Sequence, residues 1–261
     1  MSDHPVRFGG VARLYGEAAL ERLRHLHILV VGLGGVGSWS VEALARSGVG
    51  ALTLVDLDDI CVSNVNRQLP AMDGTIGLPK GEVLASRVRA INPECRVTPI
   101  LDFFTPDSAS RILEPLSGTA PLGGVLDAID PVSDKCALIA GARARGLPLV
   151  SCGAAGGRRD ASQVRVGDLS EVTHDRLLRS VRRQLRRDHG FARSGRMGVD
   201  CVYSPESPVI PGAEARACPP ALDDPPPGRR LNCNDGLGSS VFVTATFGMI
   251  GAGRLVERLL D

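Results

Sequence analysis

The stretch that decides the fold is LHILVVGLGGVGSWSVEALARSG, residues 26–48. Its first seven residues, 26–32, form a short apolar run, which is typical of a buried strand. The run ends in a turn that contains four glycines, Gly32, Gly34, Gly35 and Gly37. The polar and apolar residues that follow have the pattern of a helix. The order of strand, glycine turn and helix matches GxGxxG, a pattern in which the backbone binds phosphate at a helix N-terminus.

Similar apolar runs recur along the first half of the chain and alternate with helical patterns. Further strands are predicted at 51–56, 95–100, 124–129 and 147–151, and helices at 79–92 and 132–145. Strands that alternate with helices are typical of a doubly wound sheet. The sequence therefore predicts an α/β protein with a Rossmann-like, mainly parallel sheet.

The pattern changes after Gly153. We expect one domain with two halves, residues 1–153 for nucleotide binding and residues 154–261 for substrate and dimer contacts. The second half is predicted to be an α+β extension, with a strand at 163–166 and an amphipathic helix at 174–189.

Two segments of the second half are unusual. Residues 205–228 are rich in proline and are predicted to form a loop. Residues 236–253 carry no charge and are long enough for a membrane span, but their glycines and the lack of flanking aromatic residues favour a buried helix. This helix would pack against the sheet or a dimer partner.

Composition excludes several classes of protein. The net charge of +1 means that the whole molecule does not attract nucleic acid or acidic membranes, so a basic partner surface must be local. Aromatic residues make up 3% of the chain, which argues against a broad base-stacking platform. The seven cysteines are irregularly spaced and form no CxxC pair, which argues against a disulfide framework and a four-cysteine zinc site. The N-terminus lacks the apolar region of a signal peptide, so a cytoplasmic location is expected.

Charged residues beyond the glycine turn indicate which nucleotide is bound. Asp56 ends the second strand, where an acid contacts ribose hydroxyls in this architecture. Arg67 and Lys80 add positive charge where a triphosphate would project, which a dinucleotide such as NAD does not need. Asp130 ends a strand and could hold Mg²⁺ on the phosphates. The alternatives are a bare tight turn, a solvated Lys80, an Arg67 paired with Asp58 or Asp59, and an Asp130 that caps the next helix.

These segments also resemble a known group of enzymes. The runs GLGGVGS (32–38), DLDDICVSNVNRQ (56–68) and DAID (127–130), with Lys80, are similar to the ubiquitin-activating and ThiF/MoeB-type adenylating enzymes. Shorter runs resemble the tRNA threonylcarbamoyladenosine dehydratases of that superfamily, among them RFGGVARLYG (7–16), INPECRV (91–97), GVDCVYSPE (198–206) and VTATFG (243–248). The likeness extends over nearly the whole chain.

The resemblance implies an ATP-dependent ligase or cyclase. ATP would activate the carboxylate of threonylcarbamoyladenosine, next to the tRNA anticodon, as an acyl-adenylate. A nucleophile of the same modified base would then close a ring, with net loss of water. Proximity would supply much of the rate of ring closure, and no enzyme nucleophile is required.

The resemblance also implies roles for individual residues. ATP would be bound by the four glycines and by Asp56, Asp58, Asn64, Arg67, Gln68 and Lys80, with Asn64 and Gln68 ordering the site. Mg²⁺ would be bound by Asp130. Arg67, Lys80 and Asp130 would be catalytic, together with Arg13 as an arginine finger from a partner subunit. A further basic residue is expected after Asp130, where this chain reads PVSDK.

The expected partners are tRNA and a second copy of the chain. A sulfur-transfer protein is a further candidate partner, whereas DNA and membranes are not expected. The helix predicted at 174–189 is rich in arginine, and we assign tRNA contact to Arg179, Arg182, Arg183, Arg186 and Arg187. The alternative is an ordinary solvated helix face.

Three other functions remain open at this point. The first is an adenylating enzyme for a ubiquitin-like sulfur-carrier protein, with Cys201, Cys218 or Cys233 as acyl acceptor, although such enzymes often carry CxxC zinc pairs. The second is an NAD-dependent oxidoreductase. The third is a non-catalytic ATP-binding scaffold, which would tolerate the loss of Arg67 and Lys80.

Overall fold

One sheet of seven strands forms the centre of the computed structural model, which describes residues 3–114, 120–209 and 237–261. The strands are β1 (His27–Val31), β2 (Ala51–Val55), β3 (Arg96–Ile100), β4 (Gly124–Asp127), β5 (Leu149–Cys152), β6 (Arg165–Asp168) and β7 (Asp200–Tyr203). They lie in the order β3-β2-β1-β4-β5-β7-β6. All neighbouring strands are parallel except β6, which runs antiparallel to β7 at one edge. The predicted Rossmann-like, mainly parallel fold is confirmed.

Helices cover both faces of the sheet. Within the described residues they are α1 (His4–Arg7), α2 (Gly9–Tyr15), α3 (Glu17–His25), α4 (Gly37–Arg46), α5 (Lys80–Ile91), α6 (Ala109–Leu113), α7 (Val132–Ala144), α8 (Arg176–Asp188) and α9 (Val241–Leu260). One apolar core, which includes Leu44, Leu84 and Phe247, lies between the sheet and α4, α5 and α9. A second core, which includes Leu138 and Leu178, lies under α7 and α8. The longer helices α4, α5, α7, α8 and α9 each bury an apolar face against the sheet, as expected for a layered α/β protein.

The strand order creates a crevice between β1 and β4. The chain proceeds from β1 to β2 and β3 on one side, and then returns to place β4 on the other side of β1. The connections that follow β1 and β4 therefore diverge, which opens a crevice at the carboxyl ends of these strands. The glycine turn and the DAID run both lie at this edge of the sheet.

The predicted elements of the second half differ in several places from those observed. β6 begins two residues later than predicted. The uncharged segment at 236–253 forms only part of α9, which begins at Val241 and ends at Leu260. β7 was not predicted and lies between β5 and β6. Residues 210–228 of the proline-rich segment are outside the described residues.

α9 packs closely against the rest of the molecule at Gly248 and Gly251. A Cβ on Gly248 would lie 2.4 Å from the carbonyl oxygen of Val36, so the backbones of α9 and α4 approach closely there. The Ser40 hydroxyl in α4 donates to the Gly248 carbonyl at 3.0 Å. In the described part of the chain, no helix is long and apolar enough to cross a membrane.

Candidate nucleotide-binding site

The glycine loop, residues 32–37, brings backbone close to backbone at the crevice. Gly32 has a φ of 86°, and a Cβ there would lie 2.6 Å from the carbonyl oxygen of Ala128. A Cβ on Gly37 would lie 1.8 Å from the carbonyl oxygen of Gly32. Glycine is therefore required at both positions, because a side chain at Gly32 would clash with the connection after β4 and one at Gly37 would clash with the backbone of Gly32. The loop leads into α4, where the N–H groups of Ser38 and Trp39 donate to the carbonyls of Gly34 and Val36, and the positive end of the helix dipole would favour a bound anion.

Asp56 connects the glycine loop to the segment after β2. Its carboxylate accepts hydrogen bonds from the N–H of Leu33 at 2.7 Å and from the N–H of Asp58 at 2.9 Å. Burial raises the pKa of Asp56, and the positive charge of Lys80 opposes this shift. The carboxylate thus lies where β2 ends, directly beside the loop that would bind the phosphates.

Lys80, the first residue of α5, is buried beside this carboxylate. Its Nζ lies 2.9 Å from Asp58 Oδ2 and 3.9 Å from Asp56 Oδ1. The alternative of a solvated Lys80 is therefore wrong, since its side chain is only 6% exposed. A cation that is desolvated at this place exerts a stronger field on a nearby phosphate than one in water.

The segment between Asp58 and Lys80 forms the wall of the crevice beside Gly34 and Gly35. Arg67 does not pair with Asp58 or Asp59; its Nη1 donates to the Ser63 carbonyl and to Asn66 Oδ1, both at 2.9 Å. A Cβ on Gly35 would lie 3.2 Å from Arg67 Cγ, which places this arginine against the glycine loop.

Two buried amides belong to the same wall. Asn64 Oδ1 accepts a hydrogen bond from the N–H of Cys61 at 3.0 Å, which orders the turn that precedes Arg67. Gln68 is buried next to Gly34, and its Oε1 has no hydrogen-bond partner in the described structure. A buried acceptor without a partner is costly, so a ligand or water that donates to Gln68 is expected here.

Asp130 follows β4 on the opposite wall of the crevice. It does not cap α7, whose N-cap is Pro131 with no side-chain hydrogen bond. The carboxylate is open to solvent, yet the surrounding protein desolvates it enough to raise its pKa, while Lys135 and Arg67 oppose this shift. The structure thus brings Asp130, Arg67, Lys80 and Asp56 to one edge of the sheet, as predicted.

The residues of this crevice fit ATP and Mg²⁺. Arg67 and Lys80 supply cations for phosphate oxygens beside the glycine loop, and the unpaired Gln68 Oε1 can accept a hydrogen bond from a donor of the nucleotide, such as a hydroxyl or an amino group. Within the described residues, no cluster of three or more His, Cys, Asp or Glu could hold a metal ion. Mg²⁺ is commonly bound by one or two carboxylates together with substrate phosphates, so a single Asp130 is a suitable ligand.

Arg13 lies away from this crevice in the same chain. It is exposed on α2, and its helix packs through Phe8 and Ala12. A Cβ on Gly48 would contact Phe8 at 3.2 Å, so the N-terminal helices pack at the far end of α4. Because α4 begins at the glycine loop, the length of this helix lies between Arg13 and the site. A role for Arg13 would require a second copy of the chain.

The arginines of α8 form a separate surface. Five of them line a groove of about 420 Å³ together with Arg193, which follows the helix, namely Arg179, Arg182, Arg183, Arg186 and Arg187. Arg182 is engaged within the fold, since its Nη1 donates to three carbonyl oxygens at 2.9 to 3.3 Å. Arg187 pairs with Asp188 at 2.7 Å. Asp175 caps the N-terminus of α8 and also accepts from the N–H of Ala154, so α8 starts beside the crevice.

The cysteines do not form an acyl-acceptor site in the described residues. Cys201 is fully buried in β7, and desolvation raises the pKa of its thiol well above the usual range. A thiol that stays protonated is a poor nucleophile. Cys61 is exposed, and Cys218 and Cys233 lie outside the described residues.

One group of buried polar residues was not predicted from the sequence. Lys135 is the basic residue of PVSDK, but its side chain points into the protein and pairs with Asp127 at 2.9 Å. Ser151 donates to the other oxygen of Asp127 at 2.7 Å. The only signal in the sequence was a lysine on an otherwise apolar face of a predicted helix, and charged residues in such positions usually reach solvent.

With this geometry established, the comparison with known proteins identifies the class. The ThiF family matches residues 10–251, and the chain belongs to this family.

Within the family, the chain is similar to the dehydratases that act on threonylcarbamoyladenosine in tRNA. It is 45% identical, over 97% of its length, to the tRNA threonylcarbamoyladenosine dehydratase of Escherichia coli strain K12, and the match covers 93% of that relative. A crystal structure of the E. coli enzyme in complex with ATP has a TM-score of 0.84 and 44% identity, and the match covers 98% of this chain and 94% of that one.

A second activity in the family matches less of the chain. The molybdopterin-synthase adenylyltransferase of Salmonella typhimurium is 39% identical over 50% of this chain and 50% of that relative. The match to this adenylyltransferase thus covers half of the chain, whereas the match to the dehydratase of E. coli covers 97% of it.

Proposed function

We propose that the chain catalyses the ATP-dependent dehydration of N6-threonylcarbamoyladenosine next to the anticodon of tRNA. The observation that carries this proposal is the full-length similarity to the dehydratases, combined with a glycine cradle between Asp56, Lys80, Arg67 and Asp130. ATP is the nucleotide that suits a cradle with two cations and a free carboxylate.

The reaction has two steps. In the first, a carboxylate oxygen of the modified base attacks the α-phosphorus of ATP, the bond to the β-phosphate breaks, and pyrophosphate leaves. In the second, a nucleophile of the same modified base attacks the activated carbonyl, and AMP leaves as the ring closes. The net change in the base is the loss of one water.

The side chains of the crevice position the reactants and balance their charge. The buried Lys80 and the half-buried Arg67 face the negative charge that develops on the phosphates, and the contact of the desolvated Lys80 is expected to be the stronger one. Mg²⁺, when bound, would neutralise phosphate oxygens, with Asp130 as its protein ligand. Asp56 would hold the ribose, and Gln68 would complete the wall next to Gly34.

The tRNA is proposed to dock along α8. This helix begins beside the crevice, because Asp175 contacts both Leu178 and the residue after Gly153. Arg179 and Arg183 are exposed on it, and phosphate contacts by arginine suit a nucleic acid backbone. A tRNA-modifying role also favours the cytoplasm as the location.

The chain is proposed to act as a homodimer. Arg13 cannot complete the crevice of its own chain, and a partner subunit would supply it. Apolar side chains that remain exposed near the crevice, among them Val62 and Phe242, would be covered by the partner.

The deciding experiment is mass analysis of tRNA nucleosides. Unmodified enzyme, ATP, Mg²⁺ and tRNA that carries threonylcarbamoyladenosine are incubated, and the tRNA is digested to nucleosides. Loss of one water from the modified nucleoside, with release of AMP and pyrophosphate, is the expected result. Intact threonylcarbamoyladenosine after incubation with active, ATP-binding protein would contradict the proposal.

The second candidate is adenylation of a ubiquitin-like sulfur carrier, favoured only by the match of half the chain to an adenylyltransferase. Exchange of labelled pyrophosphate into ATP distinguishes the two, because the acceptor that stimulates exchange identifies the carboxylate. Stimulation by the modified tRNA supports the dehydratase, and stimulation by a carrier protein alone supports the alternative.

A further inference from the structure

A buried ion pair lies directly beneath the turn that carries Asp130. Lys135 in α7 and Asp127 at the end of β4 both have side chains with 0% exposure, and the Lys135 Nζ lies 2.9 Å from Asp127 Oδ1. Complete burial of an ammonium is uncommon, because it must give up its water. The pair is therefore held by several hydrogen bonds rather than by charge alone.

The ammonium has a second acceptor in the backbone of this turn. Lys135 Nζ donates to the carbonyl oxygen of Ile129 at 2.9 Å. The N–H of Ile129 in turn donates to Asp127 Oδ1 at 3.3 Å. Both backbone groups of Ile129 are thus fixed by the ion pair. Asp130 is the next residue, so the ion pair fixes the backbone conformation directly before it.

A third element completes the network. The Ser151 hydroxyl in β5 donates to Asp127 Oδ2 at 2.7 Å, so the network joins β4, β5 and α7. Burial alone would lower the pKa of Lys135, but the charge of Asp127 and its hydrogen bond outweigh burial and raise it. The ammonium therefore stays protonated at neutral pH and can donate to both acceptors.

We propose that Lys135 is a positioning residue for adenylation, which holds Asp130 toward the metal and phosphates of bound ATP through Ile129 and Asp127. The proposal rests on the proposed function, since it takes Asp130 as the Mg²⁺ ligand. A merely structural ion pair would stabilise the fold without any specific effect on the use of Mg²⁺.

The test needs a variant that removes the ammonium without leaving a buried charge. Lys135→Met alone would strand the Asp127 carboxylate, which strongly destabilises a protein. The double variant Asp127→Asn/Lys135→Met keeps one oxygen that accepts from the Ile129 N–H and an amide NH2 that can donate to the Ser151 hydroxyl, but it removes the donor to the Ile129 carbonyl. The control is Glu42→Gln/Arg87→Met, which removes an ion pair 2.6 Å long between α4 and α5, in which the glutamate is buried and the arginine side chain is 37% exposed.

Two measurements separate positioning from stability. Calorimetry with EDTA reports ATP binding without the metal, and dehydration at saturating ATP is followed against Mg²⁺ concentration. For the double variant we expect ATP affinity close to that of the unmodified protein, but a rise in half-saturating Mg²⁺ and a fall in kcat of about 10- to 100-fold, as for other residues that orient a metal ligand. The control should match the unmodified protein in all three values.

Two results would overturn the inference. One is a double variant whose half-saturating Mg²⁺ and kcat equal those of the control. The other is an equal loss of ATP affinity in EDTA, which would indicate a general disruption of the crevice. Asp130→Ala in the same assays distinguishes a failure of the role of Lys135 from a failure of the role of Asp130. If Asp130→Ala changes the Mg²⁺ dependence and the double variant does not, only the inference about Lys135 fails. If Asp130→Ala leaves Mg²⁺ dependence unchanged, the proposed role of Asp130 fails first.

Discussion

Arg67, Lys80 and Asp130 come from three segments of the chain and face one glycine loop, so each is expected to contribute separately to turnover. Arg67→Ala, Lys80→Ala and Asp130→Ala should each lower kcat on the order of 10²- to 10³-fold, about 3–4 kcal/mol, because each removes one charge contact in the transition state. Single-turnover dehydration assays give these values. Arg96→Ala, at an exposed position on β3, is the control. Near-native rates in all three variants would contradict the assignment.

The cysteines provide a test of whether an enzyme thiol takes part in the reaction. Cys201 is buried, and its raised thiol pKa leaves it protonated at neutral pH. We expect each of the seven cysteine-to-alanine variants that folds to retain turnover within about threefold, because the modified base supplies the nucleophile for ring closure. Melting curves identify variants that do not fold. A folded but inactive variant at Cys218 or Cys233 would indicate a thioester mechanism instead.

The residues that could be predicted share one property. Asp56 and Asp130 follow strands, and the carboxyl ends of parallel strands meet at one edge, so sequence position alone brings them together. The direction of Lys135 and Arg182 could not be predicted in this way. Both lie on helices, and which way a helix turns its side chains depends on tertiary packing. Both side chains bind backbone carbonyls of loops outside their own helices, Ile129 for Lys135 and Val172 for Arg182.

At the scale of elements, strands with continuous apolar sequence were predicted well. β1 and β2 are buried along their whole length, and their mainly apolar sequences HILVV and ALTLV predict this burial. β7 has the sequence DCVY, which begins and ends with polar residues and therefore does not resemble a buried strand. It forms because its neighbours β5 and β6 pair with it on both sides, which is information that a local pattern does not contain.

The close crossing of α4 and α9 predicts that alanine substitutions at two glycines of α9 will change the stability of the protein in opposite directions. Gly248→Ala should destabilise the protein by about 1–3 kcal/mol, because the new Cβ would be forced against the backbone of α4. Gly253→Ala is the matched control, since no atom lies within 4 Å of a Cβ at that position. It should stabilise α9 by about 0.5–1 kcal/mol, because alanine loses less entropy than glycine in a helix. Urea denaturation measures both, and equal effects would contradict the close crossing.

The structure of α8 shows which arginines are exposed, so tRNA docking can be tested with variants that leave the fold intact. Arg182 must be left intact, because its reversal would break three contacts to backbone carbonyls. Arg179→Glu/Arg183→Glu should weaken tRNA binding and flatten its salt dependence, while ATP binding stays unchanged. Arg89→Glu/Arg96→Glu, at α5 and β3 near the other edge of the sheet, changes the net charge equally. If both double variants bind tRNA equally well, α8 is not the docking surface.

In the part of the chain that the structure describes, one group of exposed apolar side chains lies near the glycine loop. Six of them follow β2, namely Leu57, Val62, Val65, Met72, Ile76 and Leu78, and Phe242 on α9 is 72% exposed. Asn66 donates to the carbonyl of Ser239 at 2.9 Å, so these two parts of the chain are in contact. A patch of this kind is typical of a protein interface. Light scattering at micromolar concentration should give the mass of a dimer, and Val62→Glu/Phe242→Glu should give a monomer, whereas Val166→Glu on the edge strand β6 should not.

Dimerisation has a functional consequence that can be measured with inactive variants. If Arg13 acts on the crevice of the partner, a mixed dimer of Arg13→Ala and Asp130→Ala chains contains one crevice with an intact Asp130 and an intact Arg13. The other crevice of that dimer lacks both. Random exchange of subunits at equal concentration makes half of the dimers mixed, so about one quarter of all sites should regain activity in a symmetric dimer. If Arg13 acted within its own chain, every site would lack one of the two residues and mixing would restore nothing. Covalently fused dimers that carry both substitutions on one chain provide the control, because there both crevices lack one residue each and no activity should return.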